Sequence, residues 1–236
     1  PHQHWHCYLS ARNKPDTTVA GRKRAARADG DATRARLLEV AGQLFARLGY
    51  AGAANKAICE AAGTDLAAIN YHFGGRDGLY QAVLFEGYEQ LIELQKLKEI
   101  HARQDSAENK LSAAIDMIVD RLYDEGGWHG RVFARELVAP STHLAALVRE
   151  GVMPRFKLMS DILSEVTGFS AQDPALLRCV LSVIAPMLMM LVVDRDTPTP
   201  FRALMTRPAD ELKSHLKHFA LAGLLATKEQ ASRRGS

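Results

Sequence analysis

Cysteine is scarce in this chain: Cys7, Cys59 and Cys179 lie far apart among 236 residues, with no C-x-x-C pair. That spacing offers neither a disulfide framework nor a zinc ligand set, and it suits a reducing compartment. Turn formers are also few. With 9 Pro and 17 Gly, the chain is short of what a sandwich or barrel of many strands requires, namely turn residues every ~8 to 12 positions. No apolar run reaches the ~20 residues of a membrane span. The longest, Cys179 to Val193, is interrupted by Ser182 and Pro186 and bounded by Arg178 and Asp194, and it reads as a buried helix. The first 28 residues hold no apolar leader segment, so a cytoplasmic protein without a membrane partner is expected.

Catalytic signatures are missing as well. The sequence contains no G-x-S-x-G elbow, no phosphate-cradling glycine loop and no H-E-x-x-H pair, so an enzyme is not expected. His215 and His218 have no third ligand nearby in sequence, and Glu136 beside Arg135 reads as a salt-bridged surface. Neither a metal nor a cofactor is expected.

What the chain does have is the composition of an ordinary globular protein, 47% hydrophobic and 24% charged, long enough for one or two domains. Its charge is unevenly placed. Residues 1–28 carry Arg12, Lys14, Arg22, Lys23, Arg24 and Arg27 against Asp16 alone, whereas the two signs nearly balance from residue 81 onward. A basic N-terminus is suited to meet a polyanion. Residues 1–30 show no hydrophobic period and read as a flexible basic arm, in which His2, His4 and His6 alternate beside Cys7.

From Thr33, a plausible N-cap, Leu37, Leu38, Ala41, Leu44, Phe45 and Leu48 recur at helical spacing, and Gly49 stands where the helix should end. A short helix from Asn55 to Ala62 follows, closed by Gly63. Asp65 then caps a third, Leu66 to His72, ended by Gly74-Gly75. Two short helices joined by a glycine turn form a helix-turn-helix, whose second member enters the major groove of DNA.

The third helix has the residues such a reader needs. Ile69 and Phe73 supply an inward side. Ala67, Asn70 and Tyr71 share the opposite face, with Leu66 and Ala68 at its edges. Alanine methyls can touch thymine methyls, and asparagine can pair with adenine. Tyr71, His72 and Arg76 are expected to donate to phosphates, and Lys56 to reach a base or the backbone. Thr33 and Asn55 complete the predicted DNA-binding set.

Beyond residue 78, helical periodicity runs from Arg76 to about Arg103 and from Ser106 to Asp124. A short helix follows from Trp128 to Val138. The next begins at Ser141 and reaches Thr167, with a bend expected near Gly151 and Pro154. The last two lie from Asp173-Pro174 to Val193 and from Pro208 to about Ala226, beyond a Thr197–Pro200 linker. The expected architecture is all-α: an arm (1–30), a three-helix DNA-binding domain (31–78), and a larger helical bundle (79–228).

Three runs, Leu44-Phe45-Ala46-Arg47-Leu48-Gly49-Tyr50, Ile58-Cys59-Glu60-Ala61-Ala62-Gly63 and Ile69-Asn70-Tyr71-His72-Phe73-Gly74-Gly75-Arg76-Asp77-Gly78-Leu79-Tyr80, closely resemble the DNA-binding domain of the tetracycline-repressor (TetR) family. The Ala67–Phe73 version looks like the CecR-like subgroup. The stretches Phe133 to Ser141 and Cys179 to Ile184 are similar to that subgroup's C-terminal domain. The resemblance implies an all-helical homodimer, mostly a repressor, whose C-terminal domain binds a small molecule and releases DNA. The chain departs from the pattern at Ala53 and Ala54, where Thr or Ser commonly caps the second helix, leaving Asn55 as the expected cap. It departs again at Leu66, a position often polar.

For the dimer, the two most apolar late helices are the natural interface, through Val183, Met187, Met190 and Leu191 on one and Leu216, Phe219 and Leu224 on the other. An unidentified small-molecule effector is expected among Met117, Tyr123, Trp128, Arg135 and His143, within the helices of residues 105–170. A helical adaptor that binds protein instead of DNA is the alternative from another functional class.

Overall fold

The computed structural model describes residues 17–123, 127–193 and 200–235. The arm up to residue 16, with His2, His4, His6 and Cys7, lies outside the described residues, as does most of the Thr197–Pro200 linker. The fold is all-α, and the described residues contain no strand.

The first helix is longer than its hydrophobic pattern. α1 spans Thr17–Gly52 and is broken at Gly49, where φ is +75°, a region that L side chains enter at a cost. Residues 17–30, expected as part of a flexible arm, belong to this helix. Thr33 therefore sits in its middle and caps nothing, because a cap must stand outside the helical turn.

α2 (Asn55–Ala62) and α3 (Leu66–Phe73) make the short pair. The N-cap of α2 is Ala54, without a side-chain bond, and Asn55 is already helical. Gly63, at φ +61°, lets Thr64 N–H return to Cys59 O at 2.9 Å and ends α2 in one residue. As expected, the Asp65 carboxylate accepts from Ala68 N–H at 3.0 Å and starts α3.

α4 (Arg76–Leu91) packs on α1 and α3 at one end and on α6, α7 and α8 further along, so it belongs to both halves of the molecule. The helix expected to continue to Arg103 instead breaks at Ile92-Glu93, and α5 (Leu94–His101) follows. The cause is far away in sequence. Arg155, almost wholly buried, donates through Nε to Ile92 O at 2.5 Å and through Nη1 to Gly151 O at 2.8 Å, and it pairs with Glu89. Glu89 in turn accepts from Leu94 N–H at 3.0 Å. The helix end thus finds side-chain partners that replace its own next turn.

α6 (Ala107–Tyr123), α7 (His129–Val138), α8 (Leu144–Leu147), α9 (Met153–Thr167), α10 (Pro174–Val192), the single turn α11 (Arg202–Met205) and α12 (Ala209–Gly235) complete the bundle. The expected bend before Pro154 is a π-helical turn at Val148–Val152. Widening the helix there makes room for a proline ring that would otherwise strike the preceding turn. One continuous core runs from Leu37, Phe45, Ile58 and Ile69 in the head, through Leu79, Val83 and Leu84 of α4, to Ile162, Leu163, Val180 and Val183 in the body.

Candidate nucleic-acid interface

α3 presents one sealed face and one open face. Ile69 is fully buried and Phe73 packs against the core, whereas Ala67 and Asn70 are exposed, Leu66 is 52% exposed and Tyr71 is 84% exposed. A phenol that open on an eight-residue helix serves no packing need. Asn70 and Tyr71 therefore stand open on the outer face of α3. Ala68 is half-buried and packs against the core. His72 is also half-buried, and its ring centroid is 4.9 Å from that of Tyr71. On α2, Lys56 is exposed and only loosely paired with Glu60, at 3.8 Å.

Arg76, expected to donate to phosphate, has three of its N–H groups engaged within the head. Its Nη1 donates to Ala53 O at 2.6 Å and to Asn55 Oδ1 at 2.7 Å, and its Nη2 donates to Tyr50 O. The guanidinium carbon lies 4.7 Å from the Tyr50 ring centroid and 5.6 Å from that of Phe45. Asn55, read as a helix cap and DNA contact, is an acceptor for this arginine. Arg34 on α1 is similarly occupied, 5.0 Å from the centroid of the Phe73 ring.

Head and body meet in a polar cluster beside α4. The Tyr50 phenol donates to Asp77. His143 Nε2 is 3.5 Å from Asp77 Oδ1, and its ring centroid is 5.3 Å from that of Tyr50. Glu136 departs from the expected exposed salt bridge. At 1% exposure it accepts from the Tyr80 phenol at 2.5 Å, from Ser141 N–H at 3.0 Å and from Ser141 Oγ at 3.1 Å. Burial and that bond hold the Tyr80 phenol well above its ordinary pKa. Neither Glu136 nor Arg155 was singled out as a structural tie by its neighbours in sequence, since every partner beyond Ser141 and Gly151 is distant.

Of the five residues expected around an effector, Arg135 and His143 both lie at the corner of Gly49, Tyr50 and Tyr80, and the other three lie elsewhere. Met117 is core. Tyr123 donates to Leu204 O at 2.6 Å. Trp128 is buried between α1 and α7, where its Nε1–H donates to Glu39 at 2.9 Å. Arg135 lies against Gly49, and His143 belongs to the head–body cluster. None of them lines the polar groove of about 650 Å³ between α6 and α12, whose walls include Asp116, Asp120, Lys213 and Lys217.

Of the seven interface residues, Val183, Met187, Met190 and Leu224 are buried within the subunit, and Leu191 and Leu216 pack partly against its core. Only Phe219, at 68% exposure, is fully presented. On α10 the outer side carries Leu177, Leu181, Met189 and Val192 beside the exposed Arg178 and Ser182.

Residues 37–83 match the family described as bacterial regulatory proteins, tetR family. Residues 107–227 match the C-terminal domain of the HTH-type transcriptional dual regulator CecR. This chain belongs to the tetR family of DNA-binding transcriptional regulators, with a C-terminal domain of the CecR type.

Solved structures share the fold. The fatty acid degradation regulator FadR of Bacillus halodurans superposes with a TM-score of 0.62 at 18% identity, covering 80% of this chain and 97% of that one. FadR of Bacillus subtilis, in complex with stearoyl-CoA, gives 0.63 at 15% identity over 80% and 97%. PfmR of Thermus thermophilus gives 0.58 at 16% identity over 79% and 97%. A comparison with curated proteins finds no match.

Proposed function

We propose that this protein is a cytoplasmic, homodimeric, ligand-responsive repressor that reads a palindromic operator through α3. The observation that carries the reading is the outward face of α3, where Ala67, Asn70 and Tyr71 are exposed above a fully buried Ile69. A twofold operator needs a twofold protein, with its two reading helices about 34 Å apart. The outer sides of α10 (Leu177, Leu181, Met189) and α12 (Phe219, Leu225) are the apolar surfaces available for dimerisation.

An effector in the body acts through α4, which contacts both halves, and so alters the spacing of the two α3 helices. Operator DNA then weakens effector binding by the factor with which effector weakens DNA binding. Stearoyl-CoA, the molecule in the B. subtilis FadR structure, is the first compound to try as effector.

The test is a gel shift of the full chain on the DNA upstream of its own gene at two salt concentrations, against an unrelated duplex. Binding that prefers the upstream DNA and weakens with salt is the expected result. Partners captured without any duplex binding would point to the adaptor.

A further inference from the structure

We infer that Arg76 is a positioning residue that sets the pitch of the recognition helix by tying the start of α4 to the segment that enters α2. The inference rests on the DNA-reading role of α3 proposed above. Arg76 begins α4, directly after the Gly74-Gly75 exit from α3. Its guanidinium reaches back across the head to the segment that enters α2, bonding Tyr50 O, Ala53 O and Asn55 Oδ1. One side chain therefore ties the two ends of the helix-turn-helix together, with α2, the Gly63 turn and α3 enclosed between them.

The chemistry suits arginine and no other residue. Three acceptors lie around one planar fork, and the fork's face rests on Tyr50 and Phe45. An ammonium is a compact point charge that cannot span such a set or stack on rings. Three of the five N–H groups are engaged by carbonyl-type oxygens, and a phosphate that took any of these three would displace bonds that hold α2 in place. Asp77 is the next residue, and its carboxylate is tied to Tyr50, which anchors the same corner from the other side.

Positioning and phosphate contact have opposite experimental signatures. Each phosphate neutralised adds about 0.9 to the slope of log affinity against log salt. An arginine that touched phosphate would lower that slope on removal and be largely replaced by lysine. An arginine that only positions leaves the slope unchanged and is not rescued by lysine.

The experiment measures binding of the full-length wild type, Arg76→Lys, Arg76→Ala and Asn55→Ala to a duplex selected by the wild type and to an unrelated duplex, across a salt series. Helicity and dimer mass are recorded for each variant. Arg76→Lys and Arg76→Ala are both expected to lose about tenfold or more on the selected duplex, with unchanged salt slope and unchanged affinity for the unrelated one. Asn55→Ala, which removes one acceptor and no charge, is expected to reproduce a smaller loss of the same kind and keeps the test open should Arg76→Ala not fold. Wild-type affinity in Arg76→Lys together with a slope reduced by about one phosphate in Arg76→Ala would overturn the inference. Wild-type chain that binds no duplex at all would instead overturn the DNA-reading role.

Discussion

The phenol of Tyr80 donates a 2.5 Å hydrogen bond to the buried carboxylate of Glu136. This bond joins α4, one turn beyond the DNA-binding head, to α7 of the body. Glu136 relies on Tyr80 and Ser141 for its satisfied oxygens. Removing one of these donors leaves a buried oxygen short of a partner. Tyr80→Phe is therefore expected to destabilise the protein by roughly 1 to 3 kcal/mol, read from urea unfolding. An unchanged midpoint would show that the bond contributes nothing.

Tyr88 gives a pH dependence of defined sign. Burial pushes its phenol from 10.0 up to about 12, against an opposing effect of the nearby Arg155 charge. In the unfolded chain the phenol ionises near its ordinary value, while the folded one stays protonated. The contribution to stability is complete below pH 10 and is lost as pH rises toward about 12. Unfolding midpoints should fall across that window, with phenolate absorbance appearing on unfolding. A flat profile would contradict the burial of Tyr88.

Gly42 marks where α1 meets the body. A Cβ at this position would lie 2.2 Å from the Trp128 indole, so the ring must move. Gly42→Ala should cost roughly 1 to 3 kcal/mol by overpacking and alter Trp128 fluorescence. A variant as stable as wild type, with the same emission, would show that the contact is loose.

The two sides of α10 and α12 should respond differently to substitution. Phe219→Glu, on the exposed side, should yield monomers by sedimentation while leaving helicity intact. Val183→Ala, in the subunit core, should keep the dimer but lower stability by about 1 to 3 kcal/mol through the cavity it leaves. Dimers persisting in Phe219→Glu would move the interface elsewhere.

The open face of α3 carries Leu66, Ala67, Asn70 and Tyr71 and no guanidinium, the group that most often reads guanine. Duplexes selected by the protein should be A·T-rich opposite this helix. Asn70→Ala should cost about 1 to 3 kcal/mol on the selected site with the dimer preserved. Equal loss on every sequence would make Asn70 a backbone contact.

Much of the head was legible because its signals are local. Asp65, Gly63 and Gly49 act within a few residues, and the inward placement of Ile69 follows from helical spacing alone. The same local rules misplaced Thr33, because helix continues upstream through residues with no apolar period. They also carried one helix through Ile92, where the break is imposed by Arg155 of α9. For Met117, Tyr123, Trp128, Arg135 and His143, residue type and segment carry no information about which cavity a side chain meets.

Caps, glycine breaks and hydrophobic period were enough to establish an all-helical chain with a helix-turn-helix near its N-terminus, since each is written in neighbouring residues. Tertiary structure alone decided that Arg76 turns inward to Tyr50, Ala53 and Asn55, that Glu136 is buried under Tyr80, and which side of α10 faces out. Those outcomes depend on partners tens of residues away. For α10 they depend on a choice between two sides that both carry large apolar residues, with Arg178 and Ser182 alone marking the outer one.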